Sequence, residues 1–136
     1  MTDRRNLVAE NWRLEKSRYA MVGSHCKKCD VFYFPNAKIC NKCGVHELHD
    51  HKYTGKGKLV EWTKITEPAR GFEMFAPIYY AIVELEEGIK IAVQLASVKD
   101  EEKLVPGANT EMVFRRLFTD GDQGIVTYGF KAKPIQ

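Results

Sequence analysis

Cys26-Lys27-Lys28-Cys29 and Cys40-Asn41-Lys42-Cys43 are two C-x2-C pairs separated by ten residues, and they hold all four cysteines of this 136-residue chain. Two short knuckles, each offering a pair of thiolates, can close a tetrahedral four-sulfur site of the kind structural Zn2+ prefers. Gly44, directly after the second pair, suits the tight backbone turn of a knuckle. The surrounding segment, 20–53, is rich in Lys, His, Asp and Asn and poor in apolar residues. Metal binding can supply the folding free energy that such a module lacks. Two disulfides, a redox C-x-x-C pair and rubredoxin-type iron are the rival readings. The N-terminal Met1-Thr2-Asp3-Arg4-Arg5 has no apolar run behind it, which argues against secretion into an oxidising compartment. A closed four-thiolate site leaves no open position for chemistry, so this motif speaks for structure rather than catalysis.

On either side of the cysteines the hydrophobic period changes. Residues 1–19 predict a helix, capped by Thr2 or Asp3, with Leu7, Val8, Trp12, Leu14 and Tyr19 in one arc and Arg5, Glu10, Arg13 and Lys16 opposite. That arc packs either on the protein's own body or on a partner subunit, with Trp12 and Tyr19 as partner-binding candidates. Residues 54–136 predict strands. Leu59–Thr66 is β-branched and aromatic, Ile78–Leu85 and Ile89–Leu95 flank the turn Glu86-Glu87-Gly88, and Asn109–Phe118 and Ile125–Lys131 flank Asp120–Gly124. Asp100–Leu104 can form one helical turn between the third and fourth strands. The fold class expected is therefore mainly β: an N-terminal helix, a rubredoxin-like zinc ribbon and a five-stranded Greek-key barrel of OB type.

Composition narrows the functions. The chain is 44% hydrophobic and 29% charged, enough for one modest core, and a net charge of +3 is no nucleic-acid signature by itself. No apolar run approaches the ~20 residues that span a bilayer, so a soluble cytoplasmic protein is expected. There is no G-x-G-x-x-G, no Walker-type loop and no nucleophile elbow. Asp120-Gly121-Asp122 lacks the downstream Glu of a calcium loop. Glu86-Glu87 reads as a solvated hairpin tip, and His46, His49 and His51 as a polar strand surface. The loop Glu67–Pro77 is the exception. Arg70, Phe72, Met74 and Phe75 share a stretch framed by Pro68, Gly71 and Pro77, a combination suited to an acyl chain or pantetheine with a phosphate nearby. Equally, Phe72 and Phe75 can simply plug the barrel end. Lys56, Lys58, Lys64, Arg70, Arg115 and Arg116 form the basic set, of which the adjacent Arg115 and Arg116 should face opposite sides of their strand.

This order of parts resembles one family. The N-terminal helix with Trp12 and Tyr19, the cysteine pairs with Phe34-Pro35 between them, and the barrel with Pro68, Gly71, Pro77, Gly88 and Pro106-Gly107 are similar to the rubredoxin-like zinc ribbon plus OB-fold family, often encoded beside thiolases. Lys42 departs from the Pro that many members carry in the second knuckle. The resemblance implies a non-catalytic scaffold and acyl-CoA-handling subunit. In the best-known members it bridges acetoacetyl-CoA thiolase and hydroxymethylglutaryl-CoA synthase of the mevalonate pathway and helps hold coenzyme A thioesters. On that reading Cys26, Cys29, Cys40 and Cys43 bind structural Zn2+, and Arg70, Phe72, Phe75 and Lys64 face the ligand. The competing class is a single-stranded nucleic-acid-binding protein, with Trp62, Tyr79, Tyr80 and Phe114 as stacking platforms, although Ile89–Leu95 supplies none. An iron-bearing electron carrier is the third reading.

Overall fold

The structure, a computed structural model, describes residues 8–119 and 123–135. The expected caps Thr2 and Asp3 and much of the Asp120–Gly124 turn lie outside the described residues. Where one helix was expected there are two short ones, α1 (Val8–Arg13) and α2 (Glu15–Ala20), broken at Leu14. Leu14 leaves the helical basin at φ −97°, ψ 7°, yet its amide still donates to the Glu10 carbonyl at 3.0 Å and its carbonyl accepts from Arg18 at 2.9 Å. The break therefore bends the segment without unravelling it. Met21, left-handed at φ 49°, ends α2 and turns the chain into the ribbon.

The ribbon is a three-stranded antiparallel sheet in which β1 (Val22–Cys26) lies between β2 (Val31–Tyr33) and β3 (His49–Lys52). Gly23 is required there, because a Cβ would stand 2.2 Å from the Tyr33 carbonyl oxygen. The barrel strands are β4 (Lys56–Ile65), β5 (Ile78–Leu85), β6 (Lys90–Gln94), β7 (Asn109–Thr119) and β8 (Val126–Pro134). Their sheet order is β6-β5-β4-β7-β8. A parallel bridge between Leu95 and Ala132, with the Ala96 amide donating to the Ala132 carbonyl at 2.8 Å, brings the two edges together. A nearly closed five-stranded barrel results, with the connectivity of an OB fold. Strands β4 and β8 run about three residues beyond the expected bounds, because ladder pairing with neighbours recruits flanking residues of low strand propensity such as Lys56 and Pro134.

Alternation places Ala81, Val83 and Leu85 of β5 inside and leaves Tyr80 and Ile82 exposed. With Leu59, Ile91, Leu95, Leu104 and Ala132 they make one core, which Met21 and Tyr53 join from the two ends of the ribbon. Tyr53 donates its amide to Met21 and its hydroxyl to the Tyr33 carbonyl, both at 3.0 Å. Its own hydroxyl pKa is pushed up to about 12 by burial and the nearby Glu87 carboxylate. The hairpin tip is only in part the solvated turn expected: Glu86 is exposed, but Glu87 is not. Glu87 has only 9% of its side chain exposed and accepts from the Thr54 amide at 2.9 Å, while Glu86 accepts from the Thr54 hydroxyl at 3.1 Å. The tip folds against the chain leaving the ribbon, whose amide needs an acceptor.

Candidate metal centre and barrel mouth

Cys26 ends β1, Cys29 lies in the first knuckle, and Cys40 and Cys43 frame the second. Their four sulfurs lie within 4.8 Å of one another, with Cys26 and Cys43 at 3.7 Å. A tetrahedral metal–thiolate site with bonds of ~2.3 Å sets neighbouring sulfurs ~3.8 Å apart, whereas a disulfide would bring a pair to ~2.05 Å. The cysteines are unpaired, so the donor set fits one tetrahedral cation. Each knuckle closes on a left-handed residue, Asp30 at φ 52° and Gly44 at φ 68°, and the Gly44 amide donates to the Cys40 carbonyl at 2.9 Å. Tyr33 supports the centre from outside. Its hydroxyl accepts from the Asn41 amide at 3.0 Å and lies 3.4 Å from the Cys40 sulfur, oriented to donate to the thiolate. That hydrogen bond, followed by one from the Cys43 amide, lowers the Cys40 thiol to about 6. Cys29 is pushed up to about 12, first by its hydrogen bond with Cys43 and then by burial. A bound cation would require all four as thiolates.

Among the described residues, no histidine joins this cluster. His25 stacks on Phe32 with centroids 4.3 Å apart and meets Asp30 at 2.7 Å, and His51 sets its ring edge-on to Phe32 and Tyr53. His51 thus belongs to an aromatic cluster with Phe32, Phe34 and Tyr53 rather than to the polar surface expected of it; His46 and His49 are exposed.

At the other end of the molecule, Glu73–Phe75 makes a 3-10 turn over the barrel mouth. Phe72 and Phe75 are half-buried, Phe72 against Phe118, whereas Met74 is 73% exposed and Arg70 is exposed. The Phe75 ring receives the Arg116 guanidinium at 5.6 Å and the Lys131 ammonium at 5.5 Å. Lys64 lies elsewhere: it pairs with Glu101 at 2.6 Å, and Glu101 also accepts from the Tyr79 hydroxyl at 2.5 Å. The candidate ligand residues therefore divide, with Arg70, Phe72 and Phe75 on one loop and Lys64 held by its own carboxylate. Arg115 and Arg116, expected to diverge, border the same cavity with Lys131. Both pair regularly, with Gly129 and Tyr128, and a bulge follows them between Arg116 and Phe118. Lys131 escaped the sequence reading because a strand lysine ordinarily faces solvent.

Trp12 is 71% exposed and Tyr19 46%, and with Asn11 and Glu15 they frame a cavity of about 230 Å3. Tyr19 meets Phe114 edge-on at 5.7 Å, and Phe114 stacks on Tyr128 at 5.7 Å. A run of exposed rings thus crosses from α2 to β7 and β8. Trp62 is no free platform: its indole donates to the Leu104 carbonyl at 2.6 Å.

Among known proteins, residues 51–115 match the family described as the C-terminal OB-fold domain of ChsH2. A DUF35 domain-containing scaffold protein of Methanocaldococcus jannaschii is 42% identical over 98% of this chain and 94% of its own. One of the same description from Methanothermobacter thermautotrophicus is 38% identical over 93% of this chain and 96% of its own. The solved Ltp2-ChsH2(DUF35) aldolase superposes with a TM-score of 0.66 at 20% identity, covering 100% of this chain and 99% of the other, which shows a shared fold. With an identity of 42% sustained over almost its whole length, the chain belongs to the DUF35 domain family.

Proposed function

We propose that this chain is a non-catalytic scaffold that docks on thiolase-fold enzymes and helps handle their acyl-CoA substrate. The observation that carries the reading is the exposed aromatic surface of Trp12, Tyr19, Phe114 and Tyr128. A folded chain of this size leaves so many clustered rings in water only where something covers them, and aromatic anchors dominate interface energetics. The relatives' description as scaffold proteins supports the same reading. The finer assignment is a bridge between acetoacetyl-CoA thiolase and hydroxymethylglutaryl-CoA synthase, in the cytoplasm, with Arg70, Phe72 and Phe75 turned toward the coenzyme A. Cys26, Cys29, Cys40 and Cys43 hold a structural Zn2+ that fixes the ribbon. No side chain among the described residues pairs a nucleophile with a base at a pocket, so the chain is assigned no turnover of its own.

Purification of the native protein under mild conditions should bring a thiolase-fold enzyme with it. Trp12→Ala should weaken that assembly by about 2 kcal/mol or more, and Phe75→Ala or Arg70→Ala should lower flux through the complex more than its assembly. Wild-type assembly and flux in all three variants would remove both assigned surfaces.

A further inference from the structure

Lys131 lies within β8 with only 7% of its surface exposed. A lysine buried to this degree ordinarily meets a carboxylate. Among the described residues, no ion pair reaches Lys131, Arg115 or Arg116. The neighbouring charge is instead of the same sign: burial first, and then Arg116, hold the Lys131 ammonium below its ordinary pKa. Both cations rest against the Phe75 ring, at 5.5 and 5.6 Å. A ring face attracts a cation through its quadrupole but carries no net charge, so two positive charges stay uncompensated. Beside them opens a cavity of about 310 Å3, walled by Phe75, Tyr79, Ser97, Arg115, Arg116 and Lys131 among others, with no carboxylate in its wall.

We propose that this cavity is an anion site for the phosphoryl group of a small organic phosphate, with Lys131 and Arg116 as its charged contacts, Arg115 at the rim and Phe75 as its roof. The charge count selects phosphate over carboxylate. A phosphomonoester carries roughly −1.5 to −2 at neutral pH on three acceptor oxygens, which matches two or three converging cations, whereas a carboxylate brings a single charge. Arginine adds planar, two-point recognition of phosphate oxygens. The volume admits the phosphate and part of what it is attached to. The inference stands on the cavity alone. It is tested on the isolated chain, whereas docking is read from complex assembly, so either can fail without the other.

The experiment titrates the full chain, as purified, with sodium phosphate, pyrophosphate, acetate and chloride at matched ionic strength, following the thermal midpoint and the amide resonances of Ser97, Arg116 and Lys131. Phosphate and pyrophosphate should raise the midpoint and shift those resonances, while acetate and chloride leave both unmoved. Lys131→Met should weaken phosphate binding at least tenfold, and without anion its midpoint should equal or exceed that of the wild type, because an unpaired buried cation is gone. Arg116→Gln should lose affinity to a similar degree, which keeps the test decisive if Lys131→Met fails to fold. Lys103→Met, altering a lysine paired with Asp100, should respond as wild type. No response to phosphate, an equal response to chloride or acetate, or undiminished affinity in both cavity variants would overturn the assignment.

Discussion

The ribbon and the barrel solve the same problem by different means. Between Gly23 and Lys52 the fully buried side chains are Ser24, Cys26 and Cys40, and the apolar contribution is two half-buried phenylalanines, Phe32 and Phe34. Between Leu59 and Ala132 the barrel buries Leu59, Val83, Leu85 and their neighbours, several at 2% exposure or less. The barrel is held by removal of apolar surface from water, the ribbon by four sulfurs aimed at one point. Met21 and Tyr53 belong to both, since they seat the ends of the ribbon in the barrel core. A small domain can carry so polar a module where the larger core clamps one end and a metal bound at the sulfurs would close the other.

The sharpest way to break this comparison is at the sulfurs. Cys40→Ser, or removal of the metal by a chelator, should abolish the ribbon's tertiary structure while the barrel amides of β4, β5 and β7 keep their dispersion in an NMR spectrum. Elemental analysis should return one zinc per wild-type chain. Equal loss of barrel and ribbon signals would show a single cooperative unit with no division between metal and core.

Next in size is Leu59→Ala. Leu59 is 1% exposed and pairs with Val83 across the ladder. Truncation there should cost about 3 kcal/mol of global stability, read by chemical denaturation, through lost transfer energy and the cavity left behind. The metal stoichiometry should be unchanged. Loss of zinc along with the core would mean that the barrel, through Met21 and Tyr53, holds the ribbon's sulfurs in place.

The smallest effect belongs to the exposed Lys64–Glu101 pair. The hydrogen bond from Lys64, with one from Tyr79, holds the Glu101 carboxyl below its ordinary value of 4.5, and the same pair raises Lys64 above its ordinary 10.5. A depressed carboxyl contributes stability above its unfolded pKa and loses it as pH falls through the folded one. A raised lysine contributes below its unfolded pKa and loses it as pH rises through the folded one. The pair therefore acts in full between about pH 4.5 and 10.5. Glu101→Gln should lower the thermal midpoint by about 2 °C or less inside that window, as solvent screening demands, and should converge with wild type in acid. A drop several times larger would place this pair, and not the core alone, among the barrel's main supports.

How much of this was legible beforehand varies by residue. The cysteine spacing announced the four-sulfur cluster because both pairs are local turns, whose geometry is set by a few neighbouring dihedrals. The run Ile78–Leu85 before the Glu86-Glu87-Gly88 turn announced a hairpin strand, whereas its buried face, Ala81, Val83 and Leu85, was set by the fold. Leu14 was less legible: the chain is helical on both sides of it, and no Gly or Pro marks the break. Glu87 looked like a solvated turn residue because nothing local says that the Thr54 amide will arrive beneath it.

What the sequence determined by itself is the kind of structure in each stretch and the identity of the sulfur donors. What only the tertiary structure decided is which distant side chains share a surface. Phe75 and Lys131 are far apart in the chain and meet only because the barrel closes β8 beside β6 and folds the 67–77 loop over that seam. Arg115 and Arg116, neighbours on one strand, border a single cavity in the folded chain. Periodicity is a property of neighbours along the chain, whereas a charge left without a partner is a property of neighbours in space. For that reason the sulfur donors were readable at once, and the unpaired cations of the barrel mouth emerged only from the folded chain.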